Sequence, residues 1–345
     1  MRAYRLVRPS SHRTCDDEGV IPLFADPVLD VARETALIAT QRMLAWADRL
    51  TAATVDAKDG GNDLVTAADA EIEALVRHHL IVRWPGDTMV GEEGAAARAL
   101  ADVEGGGQVE ELLAQAAEAG AGFRSQANPG AALVWHVDPI DGTVNFVRGI
   151  EHFCYSVGVR LASADPASPD DGWVAGLVAA PLLDRVWFAV GGRAWAAPLA
   201  ILKDPTAAVR ELDGGGAPAS GRVVATGFGY APERRAVQLA ALARVMEDFD
   251  DVRRCGSAAI DLCMAAEGRV NAYYERGLGV YDYAGGAYIA QCARRFVHRR
   301  TDSFLRADTG ATIAVPLADG ASGPAPELTV VADTRERFDL LLARG

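Results

Sequence analysis

The stretch "WHVDPIDGTVNF", residues 135–146, decides how this chain is read. A β-rich apolar run, "AALVWHV", ends by placing Asp138 and Asp141 three residues apart around a proline, and Gly142 and Thr143 follow at once. Like charges this close repel, and taking each out of water costs several kcal/mol unless a cation joins them. Each aspartate alone has a bland explanation: Asp138 before Pro139 opens a turn, and Asp141 caps a helix. Jointly, "DPIDGT" specifies six residues, and average residue usage makes a chance match an event on the order of 10⁻⁵.

The chemistry that suits such a pair is a hard divalent cation. Mg²⁺ takes carboxylate, carbonyl and water oxygens and usually shares its coordination with substrate phosphate. Asp138 can bridge two ions, the backbone fixed at Pro139 and Ile140 can aim the Ile140 carbonyl at one, and Asp141 can hold the other. Gly142 and Thr143 then open a helix whose free amides and positive dipole end favour a phosphate beside the metals. Two ions flanking a phosphoryl group stabilise its attacking and leaving oxygens and acidify a bound water, as phosphomonoester hydrolysis requires.

Composition agrees with an enzyme of this kind. The chain has 345 residues, 50% hydrophobic and 23% charged, enough apolar material for two lobes. A formal net charge of -13 excludes nucleic acid or an anionic membrane as the main partner, because both need a basic footprint. The five cysteines are odd in number and never spaced C-x-x-C, so neither a disulfide framework nor a thiolate zinc site is suggested. The six histidines share no metal spacing, and none is read as a ligand. No apolar segment reaches the length of a membrane span and the start is polar, so a cytoplasmic location is expected.

Along the chain, residues 1–25 show no period and are expected to form a mobile tail. An N-terminal α+β lobe is expected over 26–205. It opens with an amphipathic helix, "DPVLDVARETALIATQRMLAWADRL", and a second, "TAADAEIEALVRHHLIVRW", with Thr66 and Asp69 in capping-box spacing. A helical excursion near 95–133, centred on "QVEELLAQAAEA", interrupts this lobe. "FCYSVGVRL", "GWVAGLVAA" and "DRVWFAVGGRAW" then read as antiparallel strands. A C-terminal α/β lobe, 206–345, alternates strands at "RVVATGF", "RVNAYYE" and "LTVVAD" with helices from Pro232 to Phe249, near Ser257, after Asp282 and at the end. This lobe supplies Asp282 and the substrate pocket.

Six motifs occur in order: "DLVTAAD" (63–69), "GEE" (91–93), "DPIDGTVNF" (138–146), "RRCGSAAIDL" (253–262), "YYERG" (273–277) and "YDYAGG" (281–286). From about residue 28 to the C-terminus the sequence thereby resembles the inositol monophosphatase family, within the lithium-sensitive, magnesium-dependent phosphatase superfamily that includes fructose-1,6-bisphosphatase. The resemblance implies an α+β fold, a layered αβαβα sandwich, usually a homodimer. It implies hydrolysis of a small sugar or polyol phosphate, inositol monophosphate first among them, by direct attack of a metal-activated water without a phosphoenzyme. Histidinol phosphate, fructose-1,6-bisphosphate and 3'-phosphoadenosine-5'-phosphate are alternative substrates on the same fold, and a catalytically silent binding relative is the alternative of a different class.

Carried over motif by motif, Glu92, Asp138 and the Ile140 carbonyl would hold one Mg²⁺, and Asp138, Asp141 and Asp282 a second. A third, weaker ion would sit near Glu92 and Asp69. Thr143, hydrogen-bonded towards Asp69, would orient the nucleophilic water with Glu92. The Gly142 and Thr143 amides would cradle the phosphate, Glu275 would accept substrate hydroxyls, and Arg254 would line the substrate edge or a dimer contact. Lys58 lies near the family's basic position but aligns loosely and is left out of the site.

Three departures stand out. Tyr281 replaces the family's usual tryptophan before the last metal aspartate, and both are large aromatics that can pack behind the ligand. "QCARRFVHRR" lacks the usual Glu-Ala-Gly-Gly ending. The link between Glu93 and Val134 is longer than usual, and an inserted helix there is expected either to cover the mouth of the site or to be a passive surface insertion.

Overall fold

The computed structural model describes residues 22–47, 49, 55–58, 63–121, 130–165, 171–215, 221–299, 315–316, 322–323 and 328–345, with backbone alone for 55–58, 63–66, 315–316 and 322–323. Nine helices run through these segments: α1 (Pro22–Ala25), α2 (Pro27–Ala47), α3 (Ala67–Arg83), α4 (Gly106–Ala119), α5 (Thr143–Val147), α6 (Pro232–Val245), α7 (Ala258–Glu267), α8 (Val280–Cys292) and α9 (Arg335–Arg344). The strands before the middle of the chain are β1 (Val55–Lys58), β2 (Asp63–Thr66), β3 (Thr88–Gly91), β4 (Leu133–Asp141), β5 (Cys154–Leu161), β6 (Trp173–Ala180), β7 (Arg185–Val190), β8 (Arg193–Ala197) and β9 (Arg210–Leu212). Later come β10 (Val223–Thr226), β11 (Asp251–Arg253), β12 (Ala272–Arg276), β13 (Phe296–Arg299), β14 (Val315–Pro316), β15 (Ser322–Gly323) and β16 (Leu328–Ala332).

Two sheets organise the molecule. The first has seven strands in the order β3-β4-β5-β6-β7-β8-β9, antiparallel except for the β3–β4 pair. The second has five strands in the order β11-β10-β12-β16-β13, with β10 parallel to both neighbours. Alternation along the strands sends successive residues to different layers. On one face of the first sheet, Val157 and Leu177 pack with Leu29 and Leu37 of α2 and Ile72 of α3. On the other, Val178 and Trp187 meet Leu262 of α7 and Ala284 and Ile289 of α8, and the same cluster continues into Tyr273 and Val331 of the second sheet. The far face of that sheet, Tyr274 and Val330, is covered by Val245 of α6 and Leu341 of α9. The layers therefore read αβαβα.

The middle helix lies very close to the first sheet. A Cβ added at Gly158 on β5 would stand 2.5 Å from the Ala284 Cβ of α8, so only glycine allows this approach. The position of Asp282, three residues into α8, depends on that contact.

Several boundaries differ from the sequence reading. Leu23 and Phe24 are fully buried, so the last residues of the expected tail belong to the core; residues 1–21 lie outside the described residues. β9 extends the first sheet to Leu212, moving the lobe boundary beyond residue 205, because the strand pairs with β8. "DRVWFAVGGRAW" is two strands folded back at Gly191 and Gly192. The β1–β2 pair and the edge strand β3 carry too few apolar residues to have been recognised. The helix from Pro232 ends at Val245, not Phe249. After α8, Arg294 takes φ 61°, and the chain turns into β13.

The excursion contains α4, and among the described residues none of it lines the cavity that holds Asp138. Val109 packs with Ile38 of α2 and Leu75 of α3, so the apolar side of α4 is spent on the outer helical layer. The Thr66 and Lys58 side chains lie outside the described residues. Among the described residues no helix is long and apolar enough to cross a membrane.

Candidate active site

Residues three apart in a regular strand face opposite sides of a sheet. Asp138 and Asp141 do not, because β4 carries an extra residue: Asp138 is opposite Ser156 and Asp141 opposite Cys154, so three steps on β4 match two on β5. This β-bulge turns both carboxylates into one cavity. Pro139, which has no N–H for the ladder, sits inside the bulge, where that loss is tolerated. Gly142 ends the strand at φ 95°, and a Cβ there would lie 3.0 Å from the His152 carbonyl oxygen. Glycine is therefore required before Thr143 starts α5.

The cavity has a volume of about 270 Å³. Of the ten residues expected to build the site, Glu92, Asp138, Ile140, Asp141, Gly142, Thr143, Arg254, Glu275 and Asp282 line it. Asp69 does not; it is buried in the first turn of α3, close enough for its charge to act on Asp138. The carboxylates in the walls are Glu92, Asp138, Asp141, Asp261, Glu275 and Asp282, against two guanidiniums, Arg234 and Arg254. Such a lining repels phosphate unless cations reverse its charge.

The carboxylates show the strain of this arrangement. Burial, and then the charges of Asp141, Glu92, Asp282 and Asp69, hold the Asp138 carboxyl well above its usual range. Burial and the charges of Asp141 and Glu92 do the same for Asp282, against the opposing bond from the Gly279 amide. Burial raises Asp141 to about 6 against the hydrogen bonds from Ser257 and Ala259. Asp138 Oδ1 is buried with no hydrogen-bond partner among the described residues. An all-oxygen set with an unmet buried carboxylate oxygen fits a hard divalent ion.

Each side chain is held from a different element. Asp141 Oδ2 accepts from the Ser257 hydroxyl at 2.7 Å and the Ala259 amide at 2.7 Å, and so caps α7 rather than the helix that follows it. Asp282 Oδ2 accepts from the Gly279 amide at 2.7 Å at the start of α8. The Tyr273 hydroxyl donates to Glu275 Oε2 at 2.6 Å, while burial outweighs this bond and pushes Glu275 to about 7. Thr143 Oγ1 donates to the Ile140 carbonyl at 3.0 Å. A hydroxyl has one proton, so this local bond at a helix start takes the proton that the resemblance directs towards Asp69.

Glu92 sits on a loop whose anchor the sequence reading missed. Glu73 of α3 is fully buried; its Oε2 accepts from the Glu93 amide at 2.7 Å and its Oε1 from the Ala95 amide at 2.8 Å. Arg77, one turn further on, pairs with Glu73 at 2.7 Å and donates to the Met89 carbonyl at 3.1 Å. The available signal was an i,i+4 Glu–Arg pair, which usually marks a solvated helix face. Ser257 and Arg234 were also missed; a serine before a helix reads as an ordinary cap, and an arginine on a polar helix gives no signal.

One further cluster, outside the expected ligand set, includes a histidine. His152, Cys255 and Asp261 present one donor atom each, all within 4.8 Å of one another. His152 is about a hundred residues from Cys255 and Asp261 in sequence, so no spacing rule could reveal the three together.

Comparison with known proteins places the chain. Residues 25–294 match the model of the inositol monophosphatase family. The chain is 37% identical over 236 residues to the inositol-1-monophosphatase SuhB of Mycobacterium tuberculosis H37Rv, covering 68% of each protein. It is 30% identical over 260 residues to the Nus factor SuhB of Haemophilus influenzae, covering 74% of this chain and 79% of that protein. The solved structure of Mycobacterium tuberculosis SuhB superposes with a TM-score of 0.56 at 28% identity, covering 91% of this chain and 92% of that one.

Proposed function

Because the chain belongs to the inositol monophosphatase family, and is a phosphoric monoester hydrolase, we propose that it is Mg²⁺-dependent and acts on a small polyol or sugar phosphate, inositol monophosphate first. The observation that carries this reading is the unpartnered, buried Asp138 Oδ1 among the carboxylates of Glu92, Asp141 and Asp282.

Glu92, Asp138, Asp141, Asp282 and the Ile140 carbonyl would hold two ions, with a third, weaker one near Glu92 and Asp69. When bound, Mg²⁺ supplies positive charge for the phosphoryl oxygens and acidifies a water. Glu92 and Thr143 orient that water, at a carboxylate and a hydroxyl, and Asp69 supports them through its charge. The Gly142 and Thr143 amides hold phosphate oxygens at the start of α5. Glu275 accepts hydrogen bonds from the hydroxyls of the polyol, and the Tyr273 hydroxyl fixes the rotamer in which it does so. Arg254, joined by Arg234, draws the anionic substrate into the cavity.

Phosphate release from myo-inositol-1-phosphate, histidinol phosphate, fructose-1,6-bisphosphate and 3'-phosphoadenosine-5'-phosphate, with and without Mg²⁺, tests the reading. Mg²⁺-dependent turnover that is abolished by Asp138→Asn is the expected result, with inositol phosphate the best substrate. Turnover unaffected by Asp138→Asn would refute the assignment. Homodimer formation belongs to the same reading and is checked by sedimentation equilibrium.

A further inference from the structure

We propose that His152, Cys255 and Asp261 form a second metal site, which takes a borderline transition-metal ion of the zinc class rather than the hard ions suited to the carboxylate cluster. The donor set decides the class. An imidazole nitrogen, a thiolate and a carboxylate are the ligand types of Zn²⁺, three of them leaving a fourth position for water, whereas Mg²⁺ takes oxygen ligands.

The ordinary alternative is a buried His–Asp ion pair, and the geometry argues against it. His152 Nε2 and Asp261 Oδ1 face each other at 3.4 Å, with the Cys255 thiol beside the same carboxylate, yet both the nitrogen and the oxygen are buried and neither has a hydrogen bond of good geometry among the described residues. Asp261 is only 2% exposed, so water does little to satisfy its carboxylate. Buried polar atoms are nearly always paired, and an unmet pair facing each other calls for something between or beside them. A cation satisfies both at once. Bonds of about 2.0–2.3 Å to N, O and S require donors roughly 3.3–3.8 Å apart, so a cluster whose donors lie within 4.8 Å needs to contract by at most about 1–1.5 Å.

The backbone is already fixed for this purpose. Asn145 of α5, itself buried, donates through one Nδ2 to the His152 carbonyl at 2.7 Å and to the Cys255 carbonyl at 2.9 Å. One side chain thus clamps the two loops that carry two of the ligands. The third ligand is set in the first turn of α7, where the Asp261 amide donates to the Ser257 carbonyl at 3.1 Å. Access is also provided: the His152 side chain is 18% exposed, and Cys255 is half-buried. On binding, the Cys255 thiol releases its proton to solvent and its sulfur becomes the anionic ligand. Asp261 also lines the phosphate cavity, so the ion would stand in the cavity wall, apart from the Asp138 cluster.

Cobalt reports on this site without reference to turnover, because a thiolate bound to Co²⁺ gives a charge-transfer absorption that oxygen ligands do not. The full chain, stripped with a chelator and held in excess Mg²⁺, is titrated with Co²⁺ and then with Zn²⁺. One equivalent of Co²⁺ is expected to raise the charge-transfer band and Zn²⁺ to remove it. Cys255→Ser should abolish the band, His152→Gln should weaken Co²⁺ binding by about tenfold or more, and Cys15→Ser should leave it intact. Absence of the band from the unaltered chain, or its survival in Cys255→Ser, would overturn the proposal.

Discussion

Ser257 and Asp141 are 116 residues apart in sequence, and the Ser257 hydroxyl donates to Asp141 Oδ2 at 2.7 Å. The same hydroxyl oxygen accepts from the Ile260 amide at 3.3 Å, so one serine caps α7 and aims a carboxylate of the first sheet. Ser257→Ala should cost about 1 kcal/mol of stability for the lost cap. It should also weaken Mg²⁺ activation by about ten- to a hundredfold, the usual effect of removing a partner that orients a ligand. Thermal unfolding and an Mg²⁺ activation curve measure the two separately; loss of stability with unchanged Mg²⁺ response would show that the cap alone matters.

Glu73 makes a different kind of prediction, since it touches no substrate. Glu73→Gln keeps the size but places an amide donor against the amide of Glu93 or of Ala95 and removes the charge paired with Arg77. The expected cost is about 1–3 kcal/mol. Because the loop carries Glu92, kcat should fall as well, and a variant with full kcat would detach this anchor from the site.

The approach of α8 to the first sheet can be probed at Gly158. Gly158→Ala forces its new methyl against Ala284, and overpacking of this kind costs about 1–3 kcal/mol. Since α8 carries Asp282, the half-activating Mg²⁺ concentration should rise along with the fall in Tm.

The pH response of the metal-free protein follows from the raised carboxyls. Asp138 and Asp282 are held well above their usual range and Asp141 at about 6, above the unfolded value of 3.8. A group raised in the folded state favours folding fully below its unfolded pKa, and that contribution is lost as pH rises through the folded value. With chelator present, Tm should therefore fall as pH rises from about 4 through about 6 and beyond, and Asp138→Asn should flatten the slope. Saturating Mg²⁺ binds the charged carboxylates and should remove or reverse it. A slope that is the same with and without Mg²⁺ would contradict this account.

The six motifs made the fold and most of the candidate site legible in the sequence, because the chemistry is concentrated at element ends with distinctive residue types. Asp138, Asp141 and Asp282 could be named from "DPIDGT" and "YDYAGG" alone. The bulge could not, since an extra residue in a strand leaves no mark in composition and shows only in the register between β4 and β5. Glu73 was hidden for another reason: a buried charge bonded to backbone amides looks, in sequence, like one on a solvated face. The position of α4 stayed open between two alternatives because its few apolar residues do not say which surface they meet. His152, Cys255 and Asp261 come together only through tertiary folding.

The layered arrangement has a consequence for cooperativity. Asp138 and Asp141 come from the first sheet, Asp282 from the middle helical layer and Glu275 from the second sheet, so the cavity exists only while three layers are docked together. An ion held there binds no partly opened form in which one layer has separated. Its binding free energy is then added to the opening of every layer at once. Amide hydrogens far from one another, in β4, α8 and β12, would gain protection from exchange in step, and the sandwich would open as one unit rather than sheet by sheet.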